Sequence, residues 1–280
     1  MVFFFLGGFT KNEALQTCRR YMLCKQRPIL NYAVEGNIQR SSIVLEEYMS
    51  LLLPQHRNFD IALKCSSFDE KDKNKLFSVA RICRDQKRRM FIDAEEDALY
   101  SMYKEEVRKL ISVTLDKKYP TVYKTYQMYR RDALGELQDD LSWSVANNIP
   151  LGIKMVRGAY HYQDKYSGAL FEKKEDTDHS YNWGIMEIAE RKNLPQGTHV
   201  VLATHNPFSC SLGFTYNEKT GTRMFSFAHL MGMRENWAVE YTKRQQDVSV
   251  YIPYGPIHEM IPYLLRRGYE NLDMFKQPWP

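Results

Sequence analysis

Val248-Ser249-Val250-Tyr251-Ile252 is an apolar run that stops at Pro253-Tyr254-Gly255. A helical stretch follows through Pro262-Tyr263-Leu264-Leu265-Arg266-Arg267-Gly268-Tyr269-Glu270-Asn271. A short run rich in β-branched residues, cut off by a Pro/Gly turn and followed by a helix, is one βα unit. Similar apolar runs recur upstream about every thirty residues, the length such a unit needs. We read strands at Ile29–Val34, Phe59–Lys64, Met90–Asp93, Val122–Gln127, Gly152–Val156, Val200–Ala203, Phe225–His229 and Val248–Ile252. Helical spacing follows most of them, as in Leu76, Val79, Ala80 and Cys83, and in Leu134, Leu137, Leu141 and Val145. Thr10-Lys11-Asn12-Glu13 has the form of a capping box and predicts a helix before the first strand.

Eight strands alternating with helices, without a Pro/Ser-rich linker or a break in composition, predict a (β/α)8 TIM-type barrel, an α/β fold. An open doubly wound sheet is the competing arrangement. The expected domain is residues 1–280, with an N-terminal helical segment over 1–27 and the barrel over 28–280. Two stretches fit less well: 207–221 has poor helical periodicity, and the connection 158–178 is long.

The 280 residues are 44% hydrophobic and 26% charged, with a formal charge of +5, which is ordinary for a globular chain. The basic residues are spread rather than gathered on one aromatic-laced face, which argues against a nucleic-acid interface. The five cysteines form no C-x-x-C pair, and the histidines show no metal-binding spacing. A disulfide scaffold and a metal site are therefore not expected, and a reducing compartment is the simplest setting. Met1–Leu6 is apolar, but a span needs roughly 20 residues, and the segment lacks a basic flank; it is expected to pack on the barrel.

Chemistry in a parallel barrel gathers at the C-terminal strand ends. Those ends carry Glu35, Lys64, Asp93 with Glu95, Gln127 with Tyr129, Lys154 with Arg157, Thr204-His205-Asn206, His229 and Tyr251. Lys64 with Asp93 or Glu95 reads as a buried ion pair on a pocket floor, or as a plain barrel-mouth salt bridge. Gly158 and Ala159 are small enough to let a planar or phosphorylated ligand approach the backbone, and Arg157 suits a diphosphate. The bland reading of that segment is a strand end with a Gly bulge. Asn206 and Pro207 read as the cap and first residue of a helix. Arg266 and Arg267 present planar forks suited to a small carboxylate, or form a solvated pair on a wall helix. No Rossmann glycine fingerprint, P-loop or nucleophile elbow is present.

In order along the chain, Asn31-Tyr32-Ala33-Val34-Glu35, Ala62-Leu63-Lys64, Ile92-Asp93-Ala94-Glu95, Thr125-Tyr126-Gln127, Val156-Arg157-Gly158-Ala159-Tyr160, Ala203-Thr204-His205-Asn206 and Leu230-Met231-Gly232-Met233 resemble the strand motifs of the proline dehydrogenase (proline oxidase) family. The closing Tyr-x-Pro-Tyr-Gly and Pro-Tyr-Leu-x-Arg-Arg-x-x-Glu-Asn are the most specific. The resemblance implies an FAD-dependent (β/α)8 enzyme that oxidises L-proline to 1-pyrroline-5-carboxylate. Hydride would pass from ring carbon 5 to flavin N5, and electrons onward to a quinone.

Carried over by position, the resemblance implies that Arg266, Arg267 and Lys64 bind the proline carboxylate. Asp93 belongs to the active-site floor, while Tyr160 and Tyr251 wall the proline ring. Lys154 lies by the reactive flavin nitrogen, and Gln127 bonds the isoalloxazine. Arg157, Gly158, Ala159, Thr204 and His205 contact the rest of FAD. Lys154 and Arg157 stand in the order that resembles the eukaryotic-type branch, whereas many bacterial members carry Arg and Lys. His229 stands where that branch usually has Gln. A eukaryotic source implies a mitochondrial setting, and any other a cytoplasmic one; no presequence is visible. Peripheral membrane contact and oligomeric state stay open. The rival readings are a hydroxyproline dehydrogenase, a degenerate barrel that binds without turnover, and a nucleic-acid module with steep salt dependence.

Overall fold

Eight parallel strands close into a barrel in the order β1 to β8 in the computed structural model, which describes residues 5–33, 41–69, 71–261 and 264. The strands are β1 (Arg27–Tyr32), β2 (Asp60–Leu63), β3 (Met90–Ile92), β4 (Val122–Gln127), β5 (Gly152–Val156), β6 (His199–Ala203), β7 (Phe225–Leu230) and β8 (Val248–Tyr254). All eight expected strands are present. The barrel closes where β1 pairs with β8 over six positions, from Arg27↔Ser249 to Tyr32↔Tyr254. Closure rules out the open doubly wound sheet.

Around it run α1 (Lys11–Leu23), α2 (Ser41–Leu51), α3 (Lys73–Asp85), α4 (Tyr100–Val113), α5 (Ala133–Asn147), the short α6 (His161–Asp164), α7 (Lys174–Glu190), α8 (Pro207–Thr220) and α9 (Glu235–Lys243). Helix α1 opens with the expected capping box, Thr10 and Glu13 satisfying each other's backbone N–H groups, and lies against β1 and β8 over the closing seam. Phe5 and Leu6 pack with Ala33, Met233 and Met260, so the described end of the apolar N-terminal segment is part of the folded body.

Strand alternation divides the apolar residues between two environments. Ile29, Ala62, Phe91, Tyr123, Val201 and Ala228 fill the barrel interior. Their neighbours, such as Leu30, Ile61, Ile92, Ile153 and Val200, pack outward against the helices. Double-sided burial explains why most strands read as continuous apolar runs. Strand β4 departs furthest from this, with Lys124 buried facing the helices. Asp140 Oδ2 lies 2.5 Å from its ammonium, and Glu136 also pairs with it.

The 207–221 stretch is a full helix after all. Asn206 caps it, its side chain accepting from the N–H groups of Phe208 (3.0 Å) and Ser209 (3.1 Å), and Pro207 opens it. Its buried face consists of Ser209, Cys210, Gly213 and Asn217, small and polar residues that leave no apolar stripe to read. The long 158–178 connection holds α6, which Asp164 anchors by accepting from Tyr129 Oη (3.0 Å) and the Asp97 N–H (2.9 Å). Among the described residues no helix is long and apolar enough to cross a membrane.

Candidate active site

At the C-terminal mouth a cavity of about 610 Å³ draws lining from all eight strand ends, within the range typical of small-molecule and cofactor sites. Lys64, Asp93, Gln127, Lys154, Arg157, Gly158, Ala159, Tyr160, Thr204, His205 and Tyr251 all border it. The expected site residues Arg266 and Arg267 and the strand-end residue Glu35 lie outside the described residues.

On the floor, Asp93 follows β3 and receives donors on both oxygens: Lys154 Nζ at 2.5 Å on Oδ1 and Tyr251 Oη at 2.5 Å on Oδ2. Lys154 leaves β5 pointing inward, 7% exposed, and its ammonium also lies 5.1 Å from the centre of the Tyr251 ring. Lys64 sits over the Tyr160 ring at 5.6 Å, a cation–π contact at the cavity wall. Glu95 is not among the lining residues; its carboxylate accepts from the Ser66 N–H at 2.8 Å. Burial raises its pKa, against hydrogen bonds from Ser66 and the field of Lys64.

Arg157 knits the ends of β5 and β6 to two helices. Its Nε donates to Asp178 (2.6 Å) on α7, Nη1 to Thr204 (2.5 Å) and Nη2 to Ser209 (3.1 Å) on α8. Three of the five guanidinium N–H groups are thus engaged and two remain. Burial opposes ionisation of Asp178, but hydrogen bonds from Lys174 and Arg157 outweigh it and hold the carboxyl below the usual range. Gln127 is 1% exposed, its amide donating to the Glu95 carbonyl (2.9 Å) and accepting from the Ala159 N–H (3.2 Å). Each end keeps one further bonding position.

Gly158 has φ +151°, and a Cβ there would come 2.4 Å from the Tyr129 ring. Its smallness is therefore required by its own neighbour as well as permissive toward a ligand. His205 borders the cavity with its Nδ1 buried and without a hydrogen-bond partner. Burial drives its pKa down to about 4, with His229, Arg234 and Arg157 pushing the same way, so the ring is neutral at physiological pH.

His229 now has a structural explanation. At 2% exposure its Nδ1 lies 2.9 Å from the Met233 carbonyl and its Nε2 2.8 Å from the Gln26 side-chain amide. Burial lowers its pKa. A neutral ring donates from Nδ1 and accepts at Nε2, with the Gln26 amide turned to offer its NH2. The histidine is a strut between β7 and the residue just before β1. Arg234 and Lys174 are lining residues that sequence reasoning missed. The signal for Arg234 was the Gly232-Met233-Arg234 turn after β7, where Arg234 takes a left-handed φ of +52° at the start of α9.

Among the described lining residues the cations are Lys64, Lys154, Arg157, Lys174 and Arg234, and the sole carboxylate is Asp93. Such a cavity favours anions. The unpartnered His205 nitrogen, the spare Arg157 N–H groups and the positive balance fit a phosphate-bearing planar cofactor beside a small carboxylate.

Fold and cavity define a (β/α)8 protein with a cationic ligand site at the C-terminal mouth. The sequence pattern described as "Proline dehydrogenase" matches residues 11–277, and the chain belongs to that family. It is 34% identical over 221 residues to proline dehydrogenase 2, mitochondrial, of Arabidopsis thaliana, an alignment covering 73% of this chain and 46% of that one. It is 26% identical over 283 residues to the probable proline dehydrogenase, mitochondrial, of Schizosaccharomyces pombe, covering 89% and 56%. The chain thus spans about half the length of these relatives. Proline utilization A from Bdellovibrio bacteriovorus, solved after inactivation by N-propargylglycine, superposes with a TM-score of 0.84 at 18% identity, over 96% of this chain and 32% of that one. The Corynebacterium freiburgense protein gives 0.80 at 18% identity, over 98% and 31%. At that identity these two speak for the fold.

Proposed function

We propose that this protein is an FAD-dependent proline dehydrogenase that oxidises L-proline to 1-pyrroline-5-carboxylate. The observation that carries the reading is the cavity itself: five cations around one doubly anchored carboxylate, at the functional end of a barrel in the proline dehydrogenase family. FAD, when bound, supplies the two-electron acceptor that takes hydride from the proline ring at its N5. Arg157, Gly158, Ala159, Thr204 and His205 would hold its diphosphate and adenosine side. Gln127 would meet the ring system, with Lys154 near N5.

The remaining work belongs to side chains of the chain itself. Lys64, with Arg266 and Arg267, would take the substrate carboxylate and fix the ring in a near-attack pose. Tyr160 and Tyr251 would wall the ring and exclude water. Asp93, accepting from both, would hold the Lys154 ammonium and the Tyr251 ring in place. Fixed positive charge on Lys154 favours negative charge that builds up beside it as the ring is oxidised. We assign a quinone as the onward acceptor, and a mitochondrial setting by likeness to the relatives.

The test is L-proline-dependent reduction of a soluble electron acceptor by the FAD-loaded protein, beside Lys64→Met. We expect turnover, with KM raised about tenfold in the variant for loss of ~1.5 kcal/mol from a charged hydrogen bond. Absence of turnover with proline would overturn the reading. Turnover confined to 4-hydroxyproline would move the substrate to that analogue.

A further inference from the structure

The opposite mouth of the barrel is also hollow and basic. Two adjoining hollows of about 850 Å³ each open where the strands begin, and Lys25, Arg27, Lys87 and Arg88 border both. The buried carboxylate of Asp60 is fully used there: Arg27 grips it through Nε (2.7 Å) and Nη2 (2.6 Å), and Arg89 through Nε (2.7 Å) and its backbone N–H (2.9 Å). One carboxylate between two guanidinium groups leaves a surplus positive charge. Of the two carboxylates bordering the hollows, Asp116 and Asp247, the second is bridged by Arg223 at 3.3 Å.

Arg88 is the residue this arrangement leaves unexplained. It is 6% exposed, its guanidinium lies 4.6 Å from the centre of the Phe59 ring, and Nη2 donates to the His56 carbonyl. Its Nη1 is buried with no hydrogen-bond partner. A buried guanidinium N–H without an acceptor is costly, and natural structures rarely leave one unless something else satisfies it. Among the described residues no carboxylate pairs with it. Its neighbours at the mouth are Lys25, Arg57 and Lys87, of which Arg57 donates to the Pro54 carbonyl (2.9 Å) and Lys87 lies 5.9 Å from the Tyr119 ring centre.

We propose that the N-terminal mouth is a second ligand site, taking a phosphate-bearing anion on Arg88 with Lys25, Arg57 and Lys87 around it. The chemistry selects phosphate over a simple carboxylate. A guanidinium fork pairs with two phosphoryl oxygens, flexible ammonium groups serve as point charges around a multiply charged ion, and one carboxylate would neutralise little of the surplus. The ligand could be a soluble pyrophosphate-class anion or a lipid phosphate headgroup; both offer the same oxygens to the same donors. The site stands at the far end of the strands from the candidate flavin cavity, so occupancy of one does not fill the other.

Calorimetric titration of the FAD-loaded protein with inorganic pyrophosphate tests this, because flavin then fills the other cationic cavity. We expect saturable binding of one ion per chain, weakened at least about tenfold in Arg88→Gln. The double variant Lys25→Gln/Lys87→Gln, altered only at exposed side chains, should weaken it similarly and decides the matter if Arg88→Gln does not fold. Lys174→Gln, at the opposite mouth, should leave binding unchanged. Sedimentation with phosphatidic acid vesicles, against phosphatidylcholine alone, separates the sources. Vesicle binding lost in the same variants identifies a lipid headgroup, and pyrophosphate binding without vesicle binding identifies a soluble ligand. Binding to neither, or binding that the Lys25/Lys87 variant leaves intact, would overturn the proposal.

Discussion

Replacing Asp93 with alanine strips the cavity floor of the one carboxylate that both Lys154 and Tyr251 address. The Lys154 and Asp93 side chains are 9% and 13% exposed, so the ammonium left behind cannot recover full hydration. Removing one member of a buried pair costs about 3–5 kcal/mol, and the residual exposure puts the expectation near the lower end, about 3 kcal/mol. At roughly 2–4 °C per kcal/mol for a chain of this order of size, thermal melting should fall by about 6–12 °C. Lys154→Met alone removes the charge from the other side, leaving Asp93 with the Tyr251 hydroxyl. The double variant Asp93→Ala/Lys154→Met leaves no unpaired charge, and should be less destabilised than the sum of the single changes by about 1 kcal/mol or more. Melting or urea unfolding of the four proteins measures this. Additivity within about 0.5 kcal/mol, or a cost for Asp93→Ala below about 1 kcal/mol, would refute the view that these groups form one coupled unit.

Gly158→Ala should destabilise by at least about 2 kcal/mol, combining a disfavoured backbone with overpacking against Tyr129. Gly135→Ala in α5, where a Cβ meets nothing within 4 Å, should instead stabilise by about 0.5–1 kcal/mol; urea unfolding reads both, and equal effects would contradict the packing argument. Stability should fall as pH drops from 6.5 toward 4. Burial pushes the pKa of His205 down to about 4 and that of His199 to about 3, while the unfolded chain protonates both near 6.5. The unfolded state therefore binds more protons in that window, at up to about 1.4 kcal/mol per pH unit for each histidine. His205→Asn should flatten the slope measured by melting between pH 7 and 5, and an unchanged slope would exclude His205 as a contributor. Arg266→Met should raise the KM for proline by about tenfold or more, the loss of ~1.5–3 kcal/mol from a charged hydrogen bond; an unchanged KM in steady-state assays would refute its carboxylate role.

Much of the architecture was open to reading because barrel strands are buried on both sides, so Ile29, Ile61, Ile153 and Val250 stand in apolar runs that need no periodicity to notice. Helix α8 was obscured for the opposite reason. It packs through Ser209, Cys210, Gly213 and Asn217, and only its cap, Asn206-Pro207, betrayed it. The polar strand ends were equally plain, since Lys64, Asp93, Gln127 and Lys154 each interrupt or end an apolar run. Their partners were not. Sequence order suggested that Lys64 would meet Asp93 or Glu95 on the adjacent strand, and it gave no sign that Asp93 would accept from Lys154 on β5 and Tyr251 on β8. Inside a closed barrel, inward side chains from non-adjacent strands share a layer, and linear spacing carries no record of which ones meet. Gly158 shows a similar limit: its size was read as room for a ligand, and the ring that needs the room is Tyr129.

Oxidation of proline by the bound flavin can be read from the absorbance spectrum of the FAD-loaded protein, titrated anaerobically with L-proline. The oxidised flavin bands should bleach on mixing, with about one proline consumed per flavin. A flavin spectrum that stays oxidised with proline and with hydroxyproline alike would contradict the proposed function.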